Sequence, residues 1–288
     1  MNDFFNKAFP LHWMNYSLEL SKRTHVMGIL NVTPDSFSDG GRYLEREKAI
    51  EHGIAMARDG ADIIDVGGES TRPYSKKISV DEEMERVIPV IEALSRELNI
   101  PICIDTYKSE IAKKAIQAGA SMINDISAFR IDPDLIPVVQ ESGVPVILMH
   151  MKGTPDSMQD NPTYDDLMGE ILDFLKNAVD RALNGGINED MIIIDPGIGF
   201  GKTFDHNLQI INTLHKFHSL GRPILLGTSR KAFIGHILDK EPQDRDTGTM
   251  ATIAAGVMNG AHIVRVHDVK KGVETVKVID AIKRGSIH

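Results

Sequence analysis

Two carboxylates, one amine and one carboxamide stand at or just beyond the ends of short apolar runs of this sequence, at Asp105, Asn124, Asp195 and Lys231. A pocket that combines these groups suits a flat heterocycle with N–H donors on one edge and a carbonyl acceptor nearby. Each hydrogen bond to a charged group contributes about 1.5–3 kcal/mol when water is excluded. The alternative is an ion pair between Asp195 and Lys231 that only closes the fold. Because Asp and Lys are rarely buried without a partner or a task, the heterocycle pocket is the favoured interpretation.

A second set of residues is cationic and contains Arg72, Arg265 and His267, accompanied by the amide of Asn31 and the glycine backbone at Gly227. Positive side chains and backbone N–H groups are typical partners of phosphate. The amide oxygen of Asn31 is a hard ligand that can take one position on Mg²⁺ while phosphate and water fill the others. For Arg265 alone, a surface salt bridge is the alternative. We expect an anion site instead, because His267 stands only two residues away.

The segment 27–41, MGILNVTPDSFSDGG, begins as an apolar run with β-branched residues, which is typical of a strand buried on both faces. It continues into hydroxyl groups, acids and glycines around one large apolar side chain, Phe37. Such a loop needs water or a polar ligand, and we interpret it as a lid over a binding site. A solvated turn is the alternative that this segment, taken alone, leaves open.

These residues are spread over a regular alternation of short apolar runs and helical patterns. Between the runs, apolar residues recur three and four positions apart, which predicts helices, for example at 81–98, 163–186 and 270–284. The apolar runs themselves predict eight strands, at 25–32, 61–66, 101–105, 122–126, 144–149, 191–195, 223–227 and 262–266.

Eight strand–helix units in a chain of this length predict an α/β fold, a single (β/α)₈ TIM barrel with a short N-terminal extension. We expect residues 1–24 to pack on the underside of the barrel and residues 25–288 to form it. A doubly wound open sheet is the second choice, because its usual glycine fingerprint is absent. In a barrel the carboxyl ends of the strands meet on one face, and here every predicted strand ends in polar or charged residues. Both sets of residues are therefore predicted to meet at one barrel mouth.

The composition argues against several classes of protein. The 288 residues carry a net charge of −9 and no basic stripe, which argues against nucleic acid or an anionic membrane as a partner. The single cysteine, Cys103, lies within an apolar run, where we expect a small core residue in a reducing cytoplasm. The first residues lack the pattern of a signal peptide, and no run of 18 apolar residues predicts a membrane span.

Two further patterns are interpreted as structural. The stretch GIGFGKT at 197–203 resembles a phosphate-binding P-loop, but the first glycine of that motif would fall at Pro196. His206, His215 and His218 fall in one predicted helix without the three-ligand geometry of a catalytic zinc site. We expect these histidines at the surface.

Eight motifs, in this order, resemble the dihydropteroate synthase family of bacterial folate synthesis: GILNVTPDSFSDGG, DVGGESTRP, CIDTYKS, INDIS, LMHMKGTPDSMQ, DPGIGFGK, GTSRKAFIG and RVHDV. They extend from about residue 26 to residue 269, with one at every predicted strand end. The resemblance implies a homodimeric (β/α)₈ barrel that uses Mg²⁺ and is a target of sulfonamides. It further implies that the enzyme condenses the diphosphate ester of 6-hydroxymethyl-7,8-dihydropterin with 4-aminobenzoate and releases diphosphate.

The resemblance also implies roles for individual residues. The implied catalytic residues are Asp105, Lys231, Arg265 and His267. The implied pterin pocket consists of Asp105, Asn124, Met149, Asp195, Phe200, Gly227 and Lys231. The residues implied for the diphosphate, the aminobenzoate and the mobile loops are Phe37, Thr71, Arg72, Pro73, Ser229, Arg265 and His267, and Asn31 is the implied Mg²⁺ ligand.

The implied reaction breaks a C–O bond to diphosphate while an aromatic amine attacks the same carbon. An aromatic amine is already neutral at pH 7, so the site needs to stabilise charge more than it needs a strong general base. Mg²⁺, Arg265 and His267 would stabilise the departing diphosphate. Asp105 and Asp195 would stabilise a pterin that gains positive character. We therefore expect a dissociative substitution at the pterin methylene.

Two positions depart from the pattern of the family. Tyr74 follows STRP where glycine is usual, and Ala232 follows Lys231 where serine is common and is thought to meet the substrate carboxylate. A backbone N–H group at the start of the following helix can serve in place of that serine. The affinity for aminobenzoate and for sulfonamides is therefore left open by the sequence.

Two other functions are weighed against a synthase. A pterin-binding methyltransferase module would share the carboxylates and the asparagine of the pocket but has no need for cations that hold diphosphate. A non-catalytic paralogue would have no need for a complete set of charged residues at the barrel mouth. The intact motifs TPDSFSDGG, STRP and RVHD favour the synthase.

Overall fold

The computed structural model describes residues 8–33, 42–70 and 77–286. Its strands are β1 (Pro10–Trp13), β2 (Tyr16–Glu19), β3 (His25–Asn31), β4 (Ile63–Gly67), β5 (Ile102–Asp105), β6 (Met122–Asp125), β7 (Val146–Met149), β8 (Ile192–Asp195), β9 (Leu225–Leu226) and β10 (Ile263–Val266). Its α-helices are α1 (Arg42–Arg58), α2 (Val80–Glu97), α3 (Ser109–Gln117), α4 (Leu135–Ser142), α5 (Leu167–Asn184), α6 (Phe204–Asn212), α7 (Ala232–Leu238), α8 (Asp246–Met258) and α9 (Val269–Arg284).

Strands β3 to β10 form one parallel sheet in the order β8-β7-β6-β5-β4-β3-β10-β9. The two ends of this sheet meet, because Ile194 of β8 forms a parallel bridge with Ile224, just before β9. The backbone N–H of Ile194 also donates to the carbonyl oxygen of Pro223 at 3.0 Å. The sheet is therefore closed, and the predicted (β/α)₈ barrel is confirmed.

Each of the eight predicted barrel strands is present, and each is shorter than the apolar run that predicted it. The run at 223–227 contains a two-residue strand, Leu225–Leu226, and the run at 101–105 yields a strand that starts at Ile102. Both runs begin with a proline, which has no N–H group to donate to a sheet. The apolar runs therefore predicted where the strands lie, while a leading proline delays the start of these two strands.

Helices α2 and α5 each begin where a polar side chain caps the first turn. Ser79 accepts a hydrogen bond from the N–H of Glu82, so α2 begins one residue before the predicted start. Asp166 accepts from the N–H of Gly169, so α5 begins at Leu167 rather than at the predicted residue 163. The apolar faces of these helices pack on the outward side chains of the barrel strands in the main hydrophobic core. No helix in the described part of the chain is both long and apolar enough to cross a bilayer.

An antiparallel hairpin of β1 and β2 covers the amino-terminal end of the barrel. Its apolar side chains pack against a layer of inward-facing residues, one from each barrel strand, and the indole N–H of Trp13 donates to the carbonyl oxygen of Ser121 at 2.7 Å. This layer, the barrel floor, consists of Met27, Ile63, Cys103, Met122, Ile147, Ile193, Leu225 and Ile263. The division of the chain at residue 24 into an extension and a barrel domain stays a prediction.

The residue two positions after each floor residue must face the same way, because side chains alternate along a strand. Applied to the eight strands, this rule gives a second inward layer nearer the carboxyl ends. Its members are Ile29, Asp65, Asp105, Asn124, Met149, Asp195, Gly227 and Arg265. The fold therefore changes from an apolar floor to a mostly polar layer within two residues of each strand.

Candidate active site

Arg265 lies at the centre of the polar layer and bridges two carboxylates. Its Nε donates to Oδ2 of Asp65 at 2.5 Å, and its Nη2 donates to Oδ2 of Asp105 at 2.7 Å. Its side chain is 21% exposed, whereas that of Asp65 is fully buried. Although burial lowers the pKa of Arg265, the two carboxylates raise it further above its ordinary value. Arg265 therefore stays a cation with one edge accessible at the barrel mouth.

Three other side chains of the layer have pKa values displaced toward neutrality. Burial raises the pKa of Asp105 to about 7, against the opposing charge of Arg265. Burial also raises the pKa of Asp195 to about 6, although the N–H of Gly197 donates to its Oδ1 at 2.7 Å. Burial lowers the pKa of Lys231 to about 8, and the charge of Arg265 adds to this effect. Several such groups in one cleft are typical of a functional site.

Phe200 and Lys231 contact each other next to the polar layer. The Nζ atom of Lys231 lies 4.2 Å from the centre of the Phe200 ring, which is a cation–π contact. Phe200 also packs with a small apolar cluster that includes Met149 and Met151. The charges of Asp105, Asp195 and Arg265 all act on Lys231. The residues predicted for a heterocycle are therefore brought together at the carboxyl end of the barrel.

The loop that carries Phe200 is held by residues that the sequence analysis did not single out. Gly197 has a positive φ of 69° and lies so close to the chain that an added Cβ would approach the carbonyl oxygen of His150 to 1.9 Å. The ammonium group of Lys202 donates to the carbonyl oxygen of Phe200 at 3.0 Å and lies 2.8 Å from Nδ1 of His150. Lys202 is only 2% exposed, so it cannot reach a phosphate at the mouth. This placement agrees with the rejection of a P-loop at 197–203.

Burial fixes the charge states of the Lys202 and His150 pair. It lowers the pKa of Lys202 well below its ordinary value, and it lowers the pKa of His150 to about 2 with the help of the charge of Lys202. His150 is therefore neutral, and its Nδ1 shares a hydrogen bond with the amine nitrogen of Lys202. Lys202 is the last residue of the motif DPGIGFGK. A partner for it could have been sought in the sequence, since Lys is rarely buried without a partner.

Ser229 and His267, which follow β9 and β10, contact each other beyond the polar layer. The Oγ atom of Ser229 lies 2.8 Å from Nδ1 of His267, and the backbone N–H of His267 donates to the same Oγ at 3.1 Å. Two hydrogen bonds therefore fix the imidazole and the hydroxyl relative to each other. Both residues follow the strand ends next to Arg265, in the part of this fold where phosphates are often bound.

Asn124 and Asp65 form the third polar contact of the layer. The Nδ2 group of Asn124 donates to Oδ2 of Asp65 at 3.1 Å. The sequence analysis assigned no role to Asp65, although it begins the motif DVGGESTRP. The two-residue period of the strands would have found it, because Asp65 follows the floor residue Ile63 by two positions.

A buried ionic cluster joins the two ends of the segment 71–76. The ammonium group of Lys108 lies 2.7 Å from Oε2 of Glu83 and 3.0 Å from Oε2 of Glu69, and it donates to the carbonyl oxygen of Ile78 at 3.1 Å. The hydroxyl of Tyr107 donates to Glu69 at 3.0 Å. We call Glu69, Glu83 and Lys108 the loop clasp. Sequence analysis did not detect it.

Some predicted site residues lie outside the described part of the chain, and others lie at its edge. Phe37, Thr71, Arg72, Pro73 and Tyr74 are outside the described residues. Asn31 is the exposed last residue of β3. Among residues 8–33, 42–70 and 77–286, no group of three or more His, Cys, Asp or Glu side chains is arranged to hold a metal ion. A cation bound near Asn31 would therefore depend on oxygen atoms of a substrate and of water.

The expectation for the three histidines at 206–218 was wrong in part. His206 lies in α6, whereas His215 and His218 lie in a separate 3₁₀ helix, Leu214–Leu220. His218 is buried, and its ring centre lies 5.5 Å from that of His262. The helical spacing failed because α6 ends at Asn212 and the tighter 3₁₀ helix turns His218 inward.

Comparisons with known proteins agree with this geometry. The family model described as "Pterin binding enzyme" matches residues 27–267. The dihydropteroate synthase of Bacillus subtilis is 49% identical over 96% of this chain and 95% of its own length, and that of Escherichia coli is 45% identical over 92% and 93%. The dihydropteroate synthase of Yersinia pestis, solved in a complex with a sulfonamide drug, is 42% identical with a TM-score of 0.90 over 96% of this chain and 100% of its own.

A second solved structure is that of the Xanthomonas albilineans dihydropteroate synthase in complex with 7,8-dihydropteroate. It is 41% identical, with a TM-score of 0.86 over 95% of this chain and 98% of its own. The relatives named here are synthases rather than methyltransferases. The chain therefore belongs to the pterin-binding enzymes and, within them, to the transferases of the dihydropteroate synthase family.

Proposed function

We propose that this protein condenses (7,8-dihydropterin-6-yl)methyl diphosphate with 4-aminobenzoate to give 7,8-dihydropteroate and diphosphate. The observation that carries the proposal is the single inward layer in which carboxylates, an amide and a lysine adjoin Arg265. Family membership supports the same reaction, and so do the complexes of the X. albilineans relative with 4-aminobenzoic acid and with dihydropteroate.

The pterin would bind among Asp105, Asn124, Asp195 and Lys231. The two carboxylates accept hydrogen bonds from ring N–H and amino groups, while Lys231 donates to a ring acceptor. Met149, Phe200 and Gly227 would line the faces of the ring, since Phe200 and Met149 form an apolar wall and Gly227 adds no side chain. With the pKa of Lys231 lowered only to about 8, its ammonium form remains available as a donor at neutral pH.

The diphosphate would bind on the other side of Arg265, near Ser229 and His267, with Thr71 and Arg72 from the second loop. In the reaction the C–O bond at the pterin methylene breaks, and its electron pair leaves with the diphosphate. The lone pair of the aromatic amine forms the new C–N bond, and the amine then releases one proton to water. Arg265 and His267 would stabilise the negative charge that develops on the leaving group.

Mg²⁺ fits this site as an ion shared with the substrate. The described residues offer the oxygen of Asn31 but no acidic cluster, and Mg²⁺ commonly takes few protein ligands when phosphate and water supply the rest. When bound, the ion would neutralise charge on the diphosphate. Phe37 of the first loop would help to cover this end of the site.

We further propose a dissociative substitution, in which the methylene carbon becomes cationic before the amine attacks. The carboxylates of Asp105 and Asp195 support this mechanism, because they place negative charge beside a pterin that gains positive character. If it holds, ¹⁸O placed in the bridging position of the diphosphate ester scrambles into non-bridging positions when aminobenzoate is omitted. Retention of the label in the bridging position would argue for concerted displacement.

A homodimer in the cytoplasm is the expected form of the protein. Large apolar side chains are exposed on three helices that contact one another, at Phe204 and Leu208 of α6, Ile237 and Leu238 of α7, and Met258 of α8. We call these five residues the apolar face. A second copy of the chain would cover it, because a two-fold dimer apposes the same face of both subunits. The buried free thiol of Cys103 suits a reducing compartment, and the net charge of −9 offers no surface for nucleic acid or membrane.

The proposed reaction is tested with the purified protein, Mg²⁺ and both substrates. Diphosphate release that requires the pterin diphosphate and is matched by dihydropteroate formation when aminobenzoate is present would support the synthase. Methyl transfer from a methyl-folate without diphosphate release would support the methyltransferase alternative. Binding of the pterin without either reaction would support a non-catalytic paralogue. Inhibition by a sulfonamide that competes with aminobenzoate would further support the assignment.

A further inference from the structure

Asp65 belongs to the polar layer but does not line the cavity. Its side chain is fully buried, and its Oδ2 atom accepts from both Nε of Arg265 at 2.5 Å and Nδ2 of Asn124 at 3.1 Å. Asn124 is proposed to bind the pterin, and Arg265 is proposed to bind the diphosphate. A single carboxylate oxygen therefore joins the two halves of the proposed site.

The contact with Asp65 decides how the amide of Asn124 is turned. The Oδ2 atom of Asp65 accepts a hydrogen bond from the NH₂ group of Asn124, as it does from Nε of Arg265. The carbonyl oxygen of Asn124 is then directed away from Asp65 and is left to accept from a ligand. Asn124 pairs in register with Asp105 on the neighbouring strand, so this oxygen and the carboxylate of Asp105 belong to the same layer.

We propose that Asp65 is a positioning residue: it holds Asn124 with its acceptor oxygen toward the pterin, so that this position selects a ring edge with an N–H donor. The same oxygen of Asp65 holds the guanidinium of Arg265 in the orientation that reaches Asp105. This inference rests on the proposed function, because it names the pterin as the ligand that Asn124 selects.

A residue without an acceptor at position 65 would not have this effect. Leucine is similar to aspartate in shape but accepts no hydrogen bond, so the amide of Asn124 would be free to adopt either orientation. It would then turn its donor toward the pterin in part of the molecules, and a ring N–H would face another N–H. An asparagine at position 65 is different, because Nε of Arg265 holds its oxygen, rather than its NH₂ group, at the position that Asn124 meets. A merely structural Asp65 predicts a different outcome, namely lower stability with unchanged pterin affinity.

The test compares a variant that removes the acceptor at position 65 with one that keeps it. Asp65→Leu and Asp65→Asn are compared with the wild type, and the dissociation constant of 6-hydroxymethylpterin is measured by calorimetry. Asp65→Leu leaves the orientation of Asn124 undefined, so it is expected to weaken binding about tenfold or more. Asp65→Asn keeps an oxygen that accepts from both Arg265 and Asn124, so its affinity is expected to stay within about threefold of the wild type.

Each result supports or contradicts the role of Asp65. Wild-type affinity in Asp65→Leu would overturn it, and so would an Asp65→Asn protein that binds the pterin as weakly as Asp65→Leu. If Asp65→Leu does not fold, Asp65→Ala, which also lacks an acceptor, is measured in its place and is expected to show the same loss of affinity.

Two controls separate a change in pterin affinity from a loss of stability and from a failure of the proposed function. Asp125→Asn changes a buried aspartate that accepts from the N–H groups of Ser127 and Phe129 and lies outside the proposed site. We expect Asp125→Asn to lower the melting temperature while the pterin dissociation constant changes less than about twofold. Failure of the wild type to bind 6-hydroxymethylpterin would instead contradict the proposed function, and it would be seen before any variant is compared.

Discussion

Asp105, Asp195 and Lys231 lie close together at the carboxyl end of the barrel, and burial is the main cause that displaces their pKa values to about 7, about 6 and about 8. These values are close together because the groups share the same loss of water and are coupled to Arg265. Substrate N–H groups that replace the lost water would favour the ionised carboxylates. At the scale of residues, the negative charges of the two carboxylates would therefore be stabilised when a ligand with N–H groups is bound.

The affinity for pterin is expected to fall as the pH decreases from 8 to 5. The pKa values of Asp105 and Asp195 are raised in the folded protein, so these carboxylates take up protons as the pH passes about 7 and then about 6. A protonated carboxyl group loses acceptor capacity toward ring N–H groups. Calorimetric titration of 6-hydroxymethylpterin across this range measures the effect, and Asp105→Asn should remove the upper step. An affinity that is independent of pH would contradict the assigned roles.

Asn31→Ala is expected to raise the Mg²⁺ concentration needed for half-maximal activity about tenfold, because the exposed amide oxygen at the end of β3 is the proposed protein ligand. The dissociation constant of 6-hydroxymethylpterin, which carries no diphosphate, should not change. Activity measured against Mg²⁺ concentration tests this prediction. An unchanged Mg²⁺ dependence would remove Asn31 from the metal site.

Ala232→Ser tests the departure from the family at the start of α7. Ala232 is exposed and follows Lys231 directly, so a serine hydroxyl fits there without displacing other side chains. One added hydrogen bond to the substrate carboxylate should lower the KM for 4-aminobenzoate about fivefold and leave the KM for the pterin diphosphate unchanged. Equal KM values for aminobenzoate in both proteins would show that this position does not meet the carboxylate.

At the scale of elements, the site is built by the strand register and supported by contacts between loops. The change from floor residues to the polar layer occurs two positions later in every barrel strand, so the closed sheet itself brings the side chains together. The loop clasp holds the residues on both sides of the segment 71–76, since Lys108 contacts both Glu69 and the carbonyl oxygen of Ile78.

Lys108→Met is expected to lower the free energy of unfolding by about 3 kcal/mol, because it leaves Glu69 and the buried Glu83 without their cation. Burial already raises the pKa of Glu83, against the hydrogen bond from Lys108. Lys176→Met is a matched control, since its ion pair with Asp180 is exposed and should contribute less than about 0.5 kcal/mol. Urea denaturation of both variants makes the comparison. A loss in Lys108→Met no larger than that in the control would show that the clasp does not stabilise the fold.

The sequence was sufficient for the strands and for most of the polar layer, because apolar runs and the polar residues that end them are local patterns. It was not sufficient for Asp65, Lys202 and Lys108, whose partners are distant in the chain and become neighbours only in the closed barrel. Asp65 could have been predicted from the strand register, because it follows the floor residue Ile63 by two positions and therefore faces the same way. The buried position of His218 was missed because the change from an α-helix to a 3₁₀ helix has no clear signal in the spacing of apolar residues.

At the scale of the whole molecule, the barrel separates the tasks of its two ends. The hairpin of β1 and β2 closes the amino-terminal end with apolar contacts, whereas the carboxyl end carries the charged residues. The apolar face on α6, α7 and α8 lies on the outside of the helical ring. The apolar packing of the hairpin, the charged residues of the proposed active site and the apolar face proposed for a second copy thus lie on different surfaces.

Ile237→Glu is expected to convert the proposed dimer into a monomer, because it places a charge in the middle of the apolar face. Met14→Glu is the control, since Met14 is equally exposed, at 61% against 60% for Ile237, but lies in the hairpin at the barrel floor. Sedimentation velocity of the two variants and the wild type measures the mass. A dimer that survives Ile237→Glu would place the interface elsewhere.

The central claim is that the polar layer above the barrel floor is a pterin pocket, and the affinity of Asp195→Asn for 6-hydroxymethylpterin tests it most directly. Asp195 is held by the N–H of Gly197 in a fixed position, and its replacement removes a charged acceptor without changing its shape. The account predicts that the dissociation constant rises about tenfold or more while the protein stays folded. An Asp195→Asn protein that binds the pterin as tightly as the wild type would contradict it.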